Sequence, residues 1–372
     1  MSVNGAILSA GEALRVLEAG WRAQAAGGLT ASWMLHGRPG VGKTQVVQQL
    51  ADRIGAPLFD MRLTTIEPQD LRGLPYYDHE RKRTVWFRPE DLPDDPDRPA
   101  VLFLDELTAA APHLQPTVYG LLQERRVGRH RLPDCVFVVA AGNTVEDGAV
   151  AYEMGTALSD RLIHLLIRTS PDDWLQNFAV RQGLSPAVTA FIRARPDLLD
   201  NTEETLRRGQ AVACTPRSWE RVSDIVASVP DRRIRNAMIA GTVGEAPAAE
   251  FAVVADEIAA SLDVEALLSA APKDRAALYP DTLHGLNALV YGLVALADAA
   301  RLTAAIEVMD GIRHLPRTRK DEAFARLPLG ELAAFGFEML IRKALEDGLQ
   351  EAFLASDTYA AYAAERRAAG LE

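Results

Sequence analysis

Cysteine is nearly absent from this chain of 372 residues, in which it occurs only as Cys135 and Cys214. Two thiols cannot form the disulfide framework that stabilises many small secreted domains. Free cysteine is among the most frequently buried residue types, so both are predicted to be small apolar core residues. No charged segment followed by an apolar run opens the sequence, so a secretory signal is not expected.

Long hydrophobic runs are missing as well. No stretch reaches the ~18 uncharged apolar residues that a membrane-spanning helix requires. The best candidate, Gly285–Ala297, is shorter than that and is predicted to be a core helix. We therefore expect a cytoplasmic protein that does not insert into membranes.

Lysine is nearly absent, with five residues against 35 arginines, so the positive charge is carried mainly by arginine. The 40 basic and 51 acidic side chains give a net charge of −11, and residues 171–372 carry 22 basic and 30 acidic side chains, or −8. Such a balance disfavours a continuous DNA-binding surface. No histidine–cysteine cluster has the spacing of zinc ligands.

Apolar segments that alternate with helical segments predict an α/β domain. Residues 6–26 and Lys43–Ile54 have helical periodicity. Segments with apolar residues on both faces are typical of parallel strands covered on both sides. They are Ser32–His36, Leu58–Leu63, Val101–Leu104, which is entirely apolar, Cys135–Ala141 and Leu162–Ile167. From about Thr169 the sequence is predicted to be helical, with proline and glycine breaks that include Pro316.

Two predicted hairpins interrupt this alternation. One lies in an insertion at about 71–99 and contains Arg81-Lys82-Arg83, and the other spans about 123–134 and contains Arg125–Arg131. Their arginines are interpreted as solvated turns or protein contacts. A nucleic-acid contact is the alternative.

A glycine-rich segment before the first long helix matches the phosphate-binding pattern G-x-x-x-x-G-K-[ST]. Its backbone N–H groups can wrap phosphate oxygens, the lysine adds a cation, and the threonine hydroxyl can bind Mg²⁺. The predicted ATP-binding residues are Gly37, Arg38, Pro39, Gly40, Val41, Gly42, Lys43 and Thr44.

A second motif ends the third predicted strand with two carboxylates, Asp105 and Glu106. Ligands bind at the carboxyl ends of strands in open α/β sheets. Asp105 is predicted to hold Mg²⁺, together with Thr44, and Glu106 is predicted to polarise the attacking water.

The order of these and further motifs resembles the AAA+ ATPases, specifically the MoxR-like and dynein-related group with an insertion in helix 2. The resemblance covers about residues 5–240. Besides the two motifs above, it rests on Asp70–Pro75, Ala140–Asn143, Ala157–Leu162 and Thr215–Arg217.

The resemblance implies three further catalytic residues. Asn143 corresponds to the sensor-1 residue, Arg161 to the arginine finger and Arg217 to sensor 2, which acts either on its own nucleotide or on a neighbour's. Thr215 and Pro216 are predicted to open the helix that carries Arg217. The alternatives are a turn-capping Asn143 and a surface ion pair between Arg161 and Asp160.

The resemblance also implies an architecture. The expected fold is a five-stranded parallel sheet in the order 5-1-4-3-2 within residues 1–168, a helical lid over 169–240 and a helical C-terminal region over 241–372. The implied function is Mg²⁺-dependent ATP hydrolysis by a homo-oligomer, typically a hexameric ring, which remodels a client protein. Relatives of this type often act with a von Willebrand factor A protein.

Two other functions are consistent with the same motifs. One is a nucleic-acid-stimulated motor or DNA-restriction subunit, and the other is a scaffold that binds ATP without turnover. The intact set of Glu106, Asn143 and Arg161 argues against the scaffold.

Overall fold

A computed structural model describes residues 5–143, 159–319, 324 and 326–370. The chain divides into two compact units, Met1–Ser170 and Pro171–Glu372. The further division of the second unit near residue 240 stays a prediction.

The first unit alternates strands and helices. Its strands are β1 (Ile7–Leu8), β2 (Ser32–His36), β3 (Leu58–Arg62), β4 (Pro75–Asp78), β5 (Arg83–Trp86), β6 (Ala100–Asp105), β7 (Arg126–Val127), β8 (His130–Arg131), β9 (Val136–Gly142) and β10 (Leu162–Ile167). Its described helices are α1 (Ala10–Ala25), α2 (Lys43–Ile54), α3 (Pro68–Arg72) and α4 (Gln115–Glu124).

The main sheet is parallel and follows the order β1-β10-β2-β9-β6-β3. Its five longer strands have the predicted order 5-1-4-3-2, which confirms the fold class. The predicted strand number is wrong, because Ile7 and Leu8 pair with β10 as a sixth, edge strand instead of starting the first helix. Two residues are too few to show strand periodicity.

Both faces of the sheet are covered, as its apolar strands predict. On one face, Met34 and Leu102 pack with Leu121 of α4 in one apolar cluster. On the other face, Leu35 and Phe103 belong to a second cluster, which includes residues of α1 and α2. Because β2, β6 and β9 are parallel neighbours, their carboxyl ends lie at the same edge of the sheet.

The second unit is helical throughout its described residues. The helices are α5 (Pro171–Trp174), α6 (Pro186–Ala194), α7 (Thr202–Arg207), α8 (Pro216–Ser228), α9 (Arg232–Val243), α10 (Glu245–Ser261), α11 (Val264–Ser269), α12 (Leu283–Leu296), α13 (Leu302–Arg319), α14 (Leu329–Glu346), α15 (Gln350–Leu354) and α16 (Asp357–Ala368). A short π-helix spans Leu175–Ala179.

Helix α12 is buried along most of its length, which confirms the predicted core helix. The predicted break at Pro316 is wrong, because α13 continues to Arg319. Ile312 and Leu315 are buried beside that proline, so packing compensates for its missing N–H group. None of the described helices is long and apolar enough to cross a membrane.

Candidate functional site

The loop between β2 and α2 has the backbone of a phosphate-binding loop. Gly40 and Gly42 have φ values of 83° and 102°, which side chains disfavour. A Cβ on Gly37 would lie 2.6 Å from the Ile167 carbonyl oxygen, so this glycine permits a close passage of two chain segments. Helix α2 begins directly afterwards, and its N-terminal N–H groups favour an anion.

Lys43 lies at the centre of this loop and is only 8% exposed. Its ammonium donates to the carbonyl oxygens of Gly37 and Arg38, the latter at 3.0 Å, and to Asn143 Oδ1 at 3.0 Å. These oxygens hold the ammonium and its positive charge beside the loop. A phosphate is the counter-ion that this arrangement suits.

The Thr44 hydroxyl oxygen and a carboxylate oxygen of Asp105 are in contact with each other. The Thr44 hydroxyl donates to Asp105 Oδ2 at 3.2 Å, and Asp105 Oδ1 accepts the Glu106 N–H at 2.8 Å. Hydroxyl and carboxylate oxygens are ligands that Mg²⁺ prefers, and Mg²⁺ usually takes its remaining ligands from phosphate and water. No cluster of three acidic, histidine or cysteine residues that could hold a metal alone occurs in the described residues. The donor set therefore fits an ion bound together with a nucleotide.

Glu106 occupies a left-handed backbone conformation, with φ of 60°, directly after β6. Its carboxylate accepts the Thr64 hydroxyl, and Arg62 Nε lies 3.9 Å away. The side chain is 38% exposed, so it can meet water. Thr64 was not predicted from the sequence; it stands two residues after β3, the strand that pairs with β6.

Asn143 follows β9, so its side chain reaches the same edge as Lys43 and Asp105. The Thr108 hydroxyl donates to the Asn143 carbonyl at 3.0 Å, a second contact that the sequence analysis missed. Thr144, which the turn-capping alternative involves, lies outside the described residues.

Arg161 lies at the opposite ends of the strands, where β2 and β10 begin. It precedes β10, whose first residue, Leu162, pairs with Ser32 at the start of β2. A five-residue strand spans about 16 Å, so Arg161 and the phosphate-binding loop of the same subunit are separated by that length. Its guanidinium donates to Gln123 at 2.6 Å, and the alternative ion pair with Asp160 does not occur in this described part of the chain.

Arg217 belongs to the second unit and lies in the first turn of α8, where it is exposed. Thr215 caps the helix by accepting the Ser218 N–H at 3.1 Å, and Pro216 is the first helical residue, which confirms the predicted helix start. The sensor-2 role of Arg217 stays a prediction.

Both predicted hairpins are present, as β4–β5 and β7–β8. The first exposes the aromatic residues Tyr76 and Tyr77. In the second, Arg125 does not belong to the accessible basic surface, because it is 8% exposed and donates to the Pro133 carbonyl at 3.0 Å. Burial also lowers the pKa of its guanidinium.

The two thiols differ in their surroundings. Cys214 is fully buried, and burial raises its pKa to about 12. The prediction of a buried core residue is wrong for Cys135, which is only partly buried. Cys135 directly precedes β9, and its Sγ lies 3.4 Å from the carbonyl oxygens of Pro96 and Arg98 in the loop before β6.

Residues 32–162 match the family model of the AAA domain, dynein-related subfamily. The matched segment runs from β2 to the start of β10 and contains the loop, both carboxylates, Asn143 and Arg161. The match, together with the loop geometry, supports an ATP hydrolase. No curated protein matches the chain.

Solved structures with similarity to the chain include a protein of Cytophaga hutchinsonii provisionally named an ATPase, with 22% identity, a TM-score of 0.33 and coverage of 46% of this chain and 49% of that one. The Holliday junction branch migration motor RuvB of Thermotoga maritima has 14% identity, a TM-score of 0.38 and coverage of 70% and 75%. NtrX of Brucella abortus has 16% identity, a TM-score of 0.33 and coverage of 60% and 52%. The chain spans about half the length of the first of these. Similarity at these TM-scores carries no argument about function.

Proposed function

We propose that this protein hydrolyses ATP with Mg²⁺ as an oligomeric ATPase of the MoxR-like, helix-2-insert type. The observation that carries the proposal is the convergence of Lys43, Thr44, Asp105, Glu106 and Asn143 at the carboxyl ends of three neighbouring strands. Each group has a separate task in phosphoryl transfer.

The loop and Lys43 bind the triphosphate in the ground state, because backbone N–H groups and an ammonium neutralise phosphate oxygens. Thr44 and Asp105 would hold Mg²⁺, which supplies charge neutralisation on the outer phosphates when it is bound. Both oxygens already lie beside Lys43's helix, so little rearrangement is required.

Glu106 orients and polarises the attacking water, which approaches from the exposed side of its carboxylate. Asn143 donates its side-chain amide toward the same water or the γ-phosphoryl oxygens, while its carbonyl is fixed by Thr108. Arg161 supplies positive charge to the transferring phosphoryl group of a neighbouring subunit. The phosphate-binding loop of its own subunit lies about 16 Å away, the length of β2. Arg217 contributes as sensor 2.

The work of the ATPase is the remodelling of a client protein, and a protein of the von Willebrand factor A type is the proposed partner. A ring, hexameric by resemblance, provides the interfaces that Arg161 requires. Support for a protein client is the net charge of −8 over residues 171–372, which disfavours phosphate-rich partners. We also propose a cytoplasmic location.

Two substitutions separate binding from turnover. Lys43→Ala is expected to abolish ATP binding, whereas Glu106→Gln is expected to retain binding and to lose roughly hundredfold or more in kcat, because Glu106 acts mainly in the transition state. Binding is measured by titration of a fluorescent ATP analogue, and turnover by phosphate release.

Lys273→Ala and Glu90→Gln are the matched controls, since both residues are exposed and lie outside the proposed site. Unchanged ATP affinity in Lys43→Ala would refute the phosphate-binding loop. Unchanged turnover in Glu106→Gln would refute its role toward water.

A further inference from the structure

Two histidines form a hydrogen-bonded pair inside the first unit, on neighbouring strands. His36 is the last residue of β2 and is 3% exposed, and His164 is the third residue of β10. His36 Nε2 lies 2.8 Å from His164 Nδ1, with the rings stacked at a centroid distance of 5.1 Å. None of the predicted site residues contacts this polar pair in the described hydrogen bonds.

The positions of the protons follow from the acceptor at one end. His164 Nε2 lies 2.9 Å from the Ser159 carbonyl oxygen, which can only accept, so this nitrogen carries a proton. In the neutral ring the other nitrogen, Nδ1, then has a lone pair and accepts from His36 Nε2–H. The chain of hydrogen bonds therefore runs from His36 through His164 to Ser159.

Its two ends lie at functional segments. His36 directly precedes Gly37, the first residue of the phosphate-binding loop. Ser159 lies two residues before Arg161, in the turn Ser159–Arg161 that leads into β10. The same turn is held on its other side, where Arg161 donates to Gln123.

We propose that His36 and His164 are positioning residues for Arg161. The pair fixes the Ser159–Arg161 turn against the strand that ends in the phosphate-binding loop, and so sets the place at which the guanidinium is offered to the next subunit. This inference rests on the proposed function, in which Arg161 acts on the neighbour's nucleotide. It assigns to the pair an effect on turnover in the neighbour without an effect on ATP binding in its own subunit.

The test replaces His164, which lies between His36 and Ser159 in this series of hydrogen bonds. His164→Leu removes the hydrogen bond with His36 and the contacts of Nε2 with the Ser159 carbonyl and hydroxyl oxygens, at 2.9 and 3.1 Å. It is expected to lower kcat at least tenfold, while ATP affinity stays within twofold of wild type. His164→Gln can still donate to the Ser159 carbonyl from an amide nitrogen and is expected to recover most of the turnover. His314→Leu is the control, because His314 lies on α13 in the second unit.

Mixed oligomers identify the subunit in which the defect acts. His164→Leu subunits mixed with Glu106→Gln subunits are expected to regain activity as Arg161→Ala subunits do, since each mixture joins an intact Glu106 to an intact finger. Loss of ATP affinity in His164→Leu, or no recovery where Arg161→Ala recovers, would overturn the inference alone. No recovery with Arg161→Ala either would overturn the proposed composite site and this inference with it.

A measurement on the wild-type protein does not depend on whether the variants fold. Nitrogen-15 spectra of the histidine rings are expected to show a scalar coupling across the hydrogen bond between His36 Nε2 and His164 Nδ1. A His164 ring protonated at Nδ1 alone would contradict the pair and overturn the inference.

Discussion

The Thr108 hydroxyl links the two segments that follow β6 and β9. Thr108 follows the carboxylates of β6, is 6% exposed and donates to the carbonyl of Asn143 after β9. The packing leaves no spare room, because a Cβ on Gly142 would lie 2.6 Å from the Thr108 hydroxyl oxygen. The hydroxyl therefore fixes the backbone that directs the Asn143 amide.

Thr108→Val is expected to lower kcat about tenfold, the equivalent of ~1.4 kcal/mol in the barrier, because the Asn143 carbonyl loses its donor. ATP affinity should change little, since the Lys43 contacts with the loop carbonyls remain. Thr108→Ser keeps the hydroxyl and is the control that should stay near wild type. The turnover of the two variants is measured by steady-state phosphate release. Equal rates for Thr108→Val and Thr108→Ser would exclude a role of the Thr108 hydroxyl in turnover.

Thr64 contacts Glu106, the second of the two carboxylates at the end of β6. Its hydroxyl donates to Glu106, so one acceptor position of this carboxylate is used by Thr64 and is not offered to water. Thr64→Ala is expected to raise basal turnover about two- to tenfold, which corresponds to one hydrogen bond of about 0.5–1.5 kcal/mol. Thr65→Ala is the control, because Thr65 donates to the Arg62 carbonyl at 2.9 Å instead. A lower rate in Thr64→Ala alone would mean that the contact aligns Glu106 for attack.

At the scale of elements, the two hairpins decide between a protein client and a nucleic acid. The β7–β8 hairpin exposes Arg126 and Arg129, and the β4–β5 hairpin exposes Tyr76 and Tyr77, a combination that can stack and neutralise single-stranded nucleic acid. Arg126 donates to the Gly128 carbonyl of its own turn at 2.8 Å, so part of its bonding capacity is used within the hairpin.

We expect titration with duplex or single-stranded DNA at physiological salt to change the ATPase rate less than twofold. Arg126→Ala with Arg129→Ala should then leave that rate unaffected by DNA, and Arg207→Ala in the second unit is the matched control. Several-fold stimulation by DNA that the hairpin substitutions remove, and the control does not, would replace protein remodelling by a nucleic-acid motor.

The elements that the sequence predicts best are those with local signals. The phosphate-binding loop and the acidic end of β6 follow from contiguous motifs, and the five long strands follow from apolar runs bounded by turns. Thr64, Thr108 and the pair of His36 and His164 carry no such signal, because each is a single polar residue whose partner lies on a distant segment. The strand Ile7–Leu8 was missed for a related reason, since its pairing with β10 alone defines it.

For the whole molecule, the parallel sheet separates the two groups of residues that are proposed to act in one reaction. Lys43, Asp105 and Glu106 lie at its carboxyl edge, and Arg161 lies at its amino edge. Because a rigid sheet cannot bring these edges together, a site that uses both kinds of residue must combine two subunits. The proposed composite site therefore requires that activity depends on assembly.

The most direct test mixes two inactive variants. Arg161→Ala is expected to lower kcat at least hundredfold, as removal of a transition-state arginine does. Equal amounts of Arg161→Ala and Glu106→Gln subunits should regain up to about a quarter of wild-type turnover, since about one interface in four joins two intact halves. Native mass spectrometry verifies the mixing. Mixed oligomers no more active than either variant alone, or a fully active wild-type monomer, would contradict the account.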